Sequence, residues 1–311
     1  MYNRCDKLNC QDDGTLTFST AGQFAPEDRE MVQIYLDKYR PWSCEYNFTN
    51  LFSWQNIYHY NWRLFKGRLL IYDGLNQGAF MPLGEELSVE EMVEASKFLI
   101  QSGLEPEFGV VPEEYVQAHP ELERHFKIEA HRDYAEYIYE VEKLYSLTGT
   151  KLHKKRNLIS QFKRRYPDYH TRAMNPKKLG PVRKLALELL SRRNPVTQEL
   201  SDEQVALETA LDHFCALGLE GVELWVGEEL VAFAVFSAMG KDLYDVQFEK
   251  IDINYKGAGQ MINWVTAEYL RNTCTYVNRE QDLGIPGLRK AKLSYEPHSL
   301  ILPYYLTYKG Q

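Results

Sequence analysis

The sequence predicts an α+β protein made of two successive units. Three observations carry this. The chain has 311 residues, enough for two ordinary domains that each bury a core. Short apolar stretches with strand-like alternation are interleaved with stretches of helical spacing along the whole length. Both halves also read in the same order, hairpin strands, then helix, then strand, although no sequence repeat is evident. The units are expected at 1–145 and 146–311, with the boundary near 142–150, where strand character gives way to polar residues.

In the first unit, residues 26–38 read as a helix and 45–54 as a second, short one. Residues 57–64 alternate, Lys66-Gly67 turns, and 68–72 return, which predicts a β-hairpin. A short strand is expected at 79–82. Ser88 followed by Glu91 is a capping box that opens a helix over 88–101, and Gly103 ends it. Strands are expected at 108–111 and 134–140, and a short helix at 112–118. In the second unit, 152–166 reads as a helix ended by Pro167, with further helices at 181–193 and 201–217. Residues 221–226, 230–236 and 243–251 read as an antiparallel meander. A glycine turn then leads into a helix over 260–272, followed by a strand at 275–278 and a helix at 286–293. Residues 299–308 close the chain as strand material broken at Pro303.

Composition narrows the functional class. Hydrophobic residues make up 44% and charged residues 26%, as in a soluble globular protein. No apolar run is long enough to span a bilayer and the polar N-terminus lacks a signal-peptide core, so a cytoplasmic protein is expected. The five cysteines (Cys5, Cys10, Cys44, Cys215, Cys274) have no paired spacing and no accompanying histidine cluster, so reduced thiols and no metal are expected. The net charge of −8 argues against nonspecific nucleic-acid binding by the whole surface. The segment 151–166 is the exception. It holds Lys151, Lys154, Lys155, Arg156, Lys163, Arg164 and Arg165 and no acidic residue. That makes it a focused positive field for a polyanion, tRNA or the phosphates of a cofactor, and Lys154, Lys155, Arg156, Lys163 and Arg164 are its expected contacts; Arg156 reads alternatively as a buried structural partner of the second sheet. The aromatics at Trp42, Tyr46, Trp54, Tyr58, Tyr60 and Trp62 alternate within hairpin-like sequence and are expected in the core.

The richest stretch is 225–270, where a strand delivers Asn254-Tyr255-Lys256-Gly257-Ala258-Gly259-Gln260 into a helix. Amides at a helix N-terminus and close approach over glycine make a phosphate cradle, formed by Lys256, Gly257, Ala258, Gly259 and Gln260. The order meander, glycine turn, helix, strand, helix resembles the GNAT acyltransferase fold. There a Gln/Arg-x-x-Gly-x-Gly/Ala turn holds the pyrophosphate of an acyl-coenzyme A; here both glycine positions match and the first position is Asn254. The segments 146–162, 248–263 and 276–297 together resemble the domain related to the C-terminal catalytic part of phosphatidylglycerol lysyltransferase. That group resembles tandem GNAT folds and is similar in architecture to the peptidoglycan-bridge aminoacyltransferases, which use aminoacyl-tRNA. The resemblance implies two tandem GNAT-like domains, each a mixed, mostly antiparallel sheet with flanking helices.

It also implies acyl or aminoacyl transfer, by direct attack, from a phosphate-bearing carrier to an amine or hydroxyl. The donor would be a coenzyme A thioester or aminoacyl-tRNA, with no tightly bound cofactor. The rival reading is a non-catalytic module that binds tRNA or another polyanion. On strand 243–251, alternation puts Tyr244, Val246 and Phe248 on one face and Asp245, Gln247 and Glu249 on the other. In a GNAT site the acceptor lies over this strand, so Glu249 is the first candidate base and Asp245 the second. Tyr295 stands where GNAT enzymes often keep a tyrosine that protonates the leaving group. Asn278, Arg279, Glu280, Gln281 and Asp282 are expected to line the donor slot, and Arg289, Lys290 and Lys292 to bind a phosphate or carboxylate.

Overall fold

A computed structural model describes residues 22–310 except 40 and 241; Cys5 and Cys10 lie outside the described residues. Among the described residues the first α-helices are α1 (Arg29–Tyr39) and α2 (Phe48–Tyr58), joined by a 3-10 turn at Cys44–Tyr46. The hairpin β1 (Asn61–Phe65) and β2 (Arg68–Asp73) turns through Lys66 and Gly67, both at positive φ, as a two-residue turn between twisted strands requires. Then follow β3 (Gly78–Phe80), α3 (Val89–Gln101) and β4 (Glu107–Val111). The capping box of α3 forms as read: Glu91 N–H donates to Ser88 Oγ and Ser88 N–H to the Glu91 carboxylate. Short helices α4 (Glu113–Ala118) and α5 (Leu122–His125) lead to β5 (Phe126–Ala130), β6 (Glu136–Glu140) and α6 (Val141–Ser146). The second half runs α7 (His153–Arg165), β7 (Tyr169–Ala173), α8 (Gly180–Ser191), α9 (Gln198–Asp212), β8 (Glu220–Val226), β9 (Glu229–Ala238) and β10 (Leu243–Ile251). It ends with α10 (Ala258–Leu270), β11 (Tyr276–Gln281), α11 (Pro286–Leu293), β12 (Ser299–Ile301) and β13 (Tyr304–Tyr308).

Two mixed sheets result. One is ordered β1-β2-β3-β4-β13-β5 and the other β12-β6-β11-β10-β9-β8-β7. Strands therefore cross residue 145: β6 of the first half sits inside the second sheet, and the C-terminal β13 sits inside the first. Pro303 separates β12 from β13, because a residue without an N–H cannot extend the ladder and lets the chain change sheets. One apolar core joins faces of both sheets. It takes Leu69, Ile71 and Phe80 from one sheet and Phe233, Val235 and Phe248 from the other, around α1, α2, α8 and α9. A second core under β8–β11 is closed by α6, α7 and α10, and a third lies between the first sheet and α3. Tyr46 and Tyr60 are buried as expected of core aromatics, while Trp42 remains partly exposed.

The expected alternation on β10 fails partway. A register shift between Asp245 and Phe248 marks a bulge against β9. One extra residue reverses which face each later side chain meets. Tyr244 and Val246 pack in the core with α10, but Phe248 packs in the core shared by both sheets. Correspondingly, Asp245 faces α2 and Glu249 faces α10, on opposite sides of the sheet.

Candidate active site

The parallel pairing of β10 with β11 stops at Asp245↔Asn278, and beyond it the two strands form a fork. β11 also shifts register against β6 between Asn278 and Gln281. Both strands thus leave regular pairing at the same level, and polar side chains fill the opening on both faces.

On the face toward α2, a buried network gathers. Asn50 Nδ2 donates to Asp245 Oδ2 (3.1 Å) and to Glu280 Oε1 (3.0 Å). Asn47 Nδ2 donates to Ser237 Oγ (3.0 Å) and Asp245 Oδ2 (3.2 Å), and Gln247 Nε2 to the same two atoms at 2.7 and 3.3 Å. Ser43 Oγ and the Cys44 N–H donate to Glu136, at 2.6 and 2.7 Å. Gln281 Nε2 donates to Glu45 Oε1 at 2.9 Å. Asp245 is fully buried, and its Oδ1 has no partner; nor have Asn50 Oδ1 and Gln247 Oε1. Four carboxyl groups enclosed together resist ionisation. Burial, then neighbouring Glu280 and Glu136, pushes the Asp245 carboxyl well above its usual range. Burial pushes Glu280 up to about 8 against the opposing Lys292 charge and the Asn50 hydrogen bond. Glu45 also reaches about 8, through burial and the nearby Glu136 and Glu280. Cys44, Asp245 and Glu280 bring ligand atoms within 4.8 Å of one another. Their surroundings already supply donors, and burial holds the Cys44 thiol protonated.

On the other face the fork is closed. Arg279 Nη2 pairs with the Glu249 carboxylate at 3.1 and 3.3 Å, and Asn263 Nδ2 donates to both Glu249 oxygens at 3.1 Å. Glu249, expected as the leading base, is thus placed as the acceptor of an ion pair. Tyr295 is buried in the core beneath α7, with the Lys155 ammonium 4.0 Å from its ring centre and its hydroxyl unpartnered. It does not meet the Asp245 network, and burial pushes its hydroxyl pKa up. Lys155 is lowered by burial and by Arg279.

Several residues expected to meet phosphate are engaged by partners within the protein. Arg289 is partly exposed and pairs with Asp282 (2.7 Å) and Asp133 (2.6 Å). Lys292 is buried against backbone carbonyls. Asn278 is fully buried and donates to Glu136 and to the Trp42 carbonyl. Arg156 is partly buried and donates to the carbonyls of Leu147 and Gly149, in the loop before α7 and not in the second sheet. The glycine turn is covered by α7: a Cβ on Gly257 would lie 2.9 Å from Leu158 O, at φ +93°, so close helix packing itself demands glycine. Ala258 is fully buried and its N–H bonds to Tyr255 O (2.9 Å). Lys256 is exposed, and Gly259 and Gln260 are partly exposed in the first turn of α10. On α7, Ile159 and Phe162 face the core, Lys163 lies over the Trp264 ring (4.1 Å), and Lys154 and Arg164 project into solvent.

Sequence reasoning placed Glu280 in the 278–282 stretch that lines the fork, but did not single out Asn47, Asn50, Glu45, Glu136, Ser237 or Gln247 as site residues. A faint signal existed, since Ser237 interrupts the apolar run of β9. The rest is assembled by α2 docking between the sheets.

Residues 37–308 match the family model described as phosphatidylglycerol lysyltransferase, C-terminal. The chain belongs to this family. A conserved protein of unknown function from Bacteroides thetaiotaomicron VPI-5482 is 30% identical, with a TM-score of 0.88 over 93% of this chain and 99% of its own. L-PGS from Bacillus licheniformis shares the fold at 16% identity (TM-score 0.63, 91% of this chain, 93% of that one). So does FemX at 8% identity (TM-score 0.62, 92% and 96%). An uncharacterized protein of Mycoplasmoides gallisepticum is 23% identical over 176 residues; the match spans 56% of that relative's length. As a member of the phosphatidylglycerol lysyltransferase C-terminal family, the chain folds into two mixed sheets with flanking helices. Among the described residues, no helix is long and apolar enough to cross a membrane.

Proposed function

We propose that the protein transfers an aminoacyl group from a phosphate-bearing carrier to an amine or hydroxyl at the fork between β10 and β11. The observation that carries this reading is the pair of carboxyl groups, Asp245 and Glu280, bridged by Asn50 at the point where the strands part, with Asp245 Oδ1 uncommitted. In the step envisaged, the acceptor nitrogen or oxygen bonds to the donor carbonyl carbon and gives its proton to a carboxylate. The bond from that carbon to the carrier then breaks, and the proton passes to the departing oxygen or sulfur. Glu280, with a pKa near 8, exchanges a proton close to neutrality.

Two features favour aminoacyl-tRNA over a coenzyme A thioester as carrier. Glu249, Arg279 and Asn263 fill the α10 side of the fork, where the arm of an acyl-coenzyme A would enter in a GNAT enzyme. α7 also lies across the glycine turn while offering Lys154 and Arg164 to a polyanion outside. The test follows loss of the amino acid from bulk aminoacyl-tRNA, with phosphatidylglycerol vesicles and with an amine-bearing peptide as separate acceptors. Asp245→Asn and Glu280→Gln are each expected to slow acceptor-dependent loss by at least ~10²-fold while tRNA binding is unchanged. Binding without any acceptor-dependent loss would leave only a polyanion-binding module. Turnover undiminished in both variants would remove the carboxylates from the mechanism.

A further inference from the structure

Lys292 occupies the last turn of α11 and is buried. Its ammonium donates to three consecutive carbonyls, Arg279 O (2.5 Å), Glu280 O (3.0 Å) and Gln281 O (2.5 Å). In an extended strand successive carbonyls point to opposite sides, so three in a row cannot meet one donor. They converge here because β11 is distorted. Its pairing with β6 shifts between Asn278 and Gln281, and Glu280 adopts φ +56°, a left-handed conformation uncommon for a residue with a side chain. Asn278 Oδ1 accepts the Glu280 N–H at 2.8 Å and closes the other side of the same turn. The distortion points the Glu280 carboxylate at Asn50, through which it meets Asp245. α11 itself is fixed in place, since Tyr139 OH donates to Lys292 O at 2.8 Å.

We infer that Lys292 is a positioning residue: its ammonium clamps the β11 bulge so that Glu280 faces Asp245 across the fork. It touches no reacting atom. Its importance for turnover rests on the reading of the fork as the reaction site, but the clamp is testable without that reading.

The first readout is amide hydrogen exchange across 279–282 in the full chain. Lys292→Met keeps the length and apolar stem and removes both charge and donors. Exchange at these amides is expected to accelerate at least ~10-fold while α3 and β8–β9 stay protected. In the Lys292→Ala protein, added n-propylammonium is expected to restore protection, and n-propanol at equal concentration is not. Full protection in Lys292→Met, or equal rescue by propanol, would overturn the clamp in favour of simple packing. If Lys292→Met does not fold, the Lys292→Ala protein with and without n-propylammonium carries the same readout. The second readout is aminoacyl transfer. A fall in kcat of at least ~10-fold with an unchanged KM for the donor supports the positioning role. Lost protection with unchanged transfer keeps the clamp and instead removes Glu280 from the reaction, which separates failure of the functional reading from failure of this one.

Discussion

Buried carboxyl groups give this protein a titration signature that can be assigned to single residues. Glu45 and Glu280 are both raised from 4.5 to about 8, so between those values the folded state holds more protons than the unfolded chain. Their contribution to stability is therefore fully present below pH 4.5 and is lost as pH rises through about 8. Lys292 has the opposite sign: lowered from 10.5 to about 8, it adds stability as pH rises from about 8 toward 10.5. The melting temperature is expected to fall from mildly acidic pH toward 8, and to fall less steeply in Glu45→Gln. An identical slope in that variant would show that Glu45 is solvated. Gly257 is the other single residue with a sharp consequence. Its positive φ and the Leu158 carbonyl 2.9 Å from a would-be Cβ leave no room for a side chain. Gly257→Val is expected to destabilise the fold by about 2 kcal/mol or more, measured by urea unfolding. A neutral effect would mean that α7 yields easily, and the turn would again be available to an anion.

At the scale of elements, α7 divides its cations between two tasks. Lys155 and Lys163 lie on the rings of Tyr295 and Trp264, and Arg156 ties down the loop before the helix. Lys154 and Arg164 remain in solvent. Charge counting along the sequence treats all five alike; helical periodicity and docking separate them. The Lys154→Glu/Arg164→Glu double variant is expected to weaken tRNA binding and to reduce the slope of log K against log salt by about 1.5–2, and Lys155→Met to leave both nearly unchanged. Equal losses in the two proteins would show that the helix contacts the polyanion through its whole length. β10 teaches a related lesson. Its residues were legible as a strand, but not its bulge, and the bulge decides that Asp245 and Glu249 meet different helices.

At the scale of the molecule, the two sheets are tied by exchanged strands, β6 into the second and β13 into the first. β13 pairs on both sides, with β4 and β5, so its loss splits the first sheet and exposes apolar surface at Leu306 and its neighbours. Deleting residues 303–311 is expected to abolish the cooperative urea transition and not merely lower its midpoint, as followed by far-UV circular dichroism. A cooperative transition of unchanged slope would show that the sheet reseals without its C-terminal strand. The same exchange places α2 against the fork, because the shared core around α2 draws on both sheets. Site and global stability are coupled through that helix, which N-caps itself with Asn47 while Asn47 also holds Asp245.

Local information was enough for most elements. The capping box of α3, the Lys66-Gly67 hairpin, the meander β8–β10 and the break at Pro303 follow from spacing and turn chemistry within a few residues of each other. Even the family was legible in three motifs, because they are contiguous in sequence. β5, β7 and α6 were not read, since short, largely polar or edge segments carry little periodicity and take their form from neighbours. The site was the least legible part. Asn47, Asn50, Glu136, Asp245 and Glu280 come from four separate stretches of chain and acquire their chemistry only by being enclosed together. Sequence determined which segments are helix and strand, because those preferences are local. Only the tertiary structure decided which carboxyl groups face one another, because a one-residue bulge and the docking of one helix set direction and burial at once.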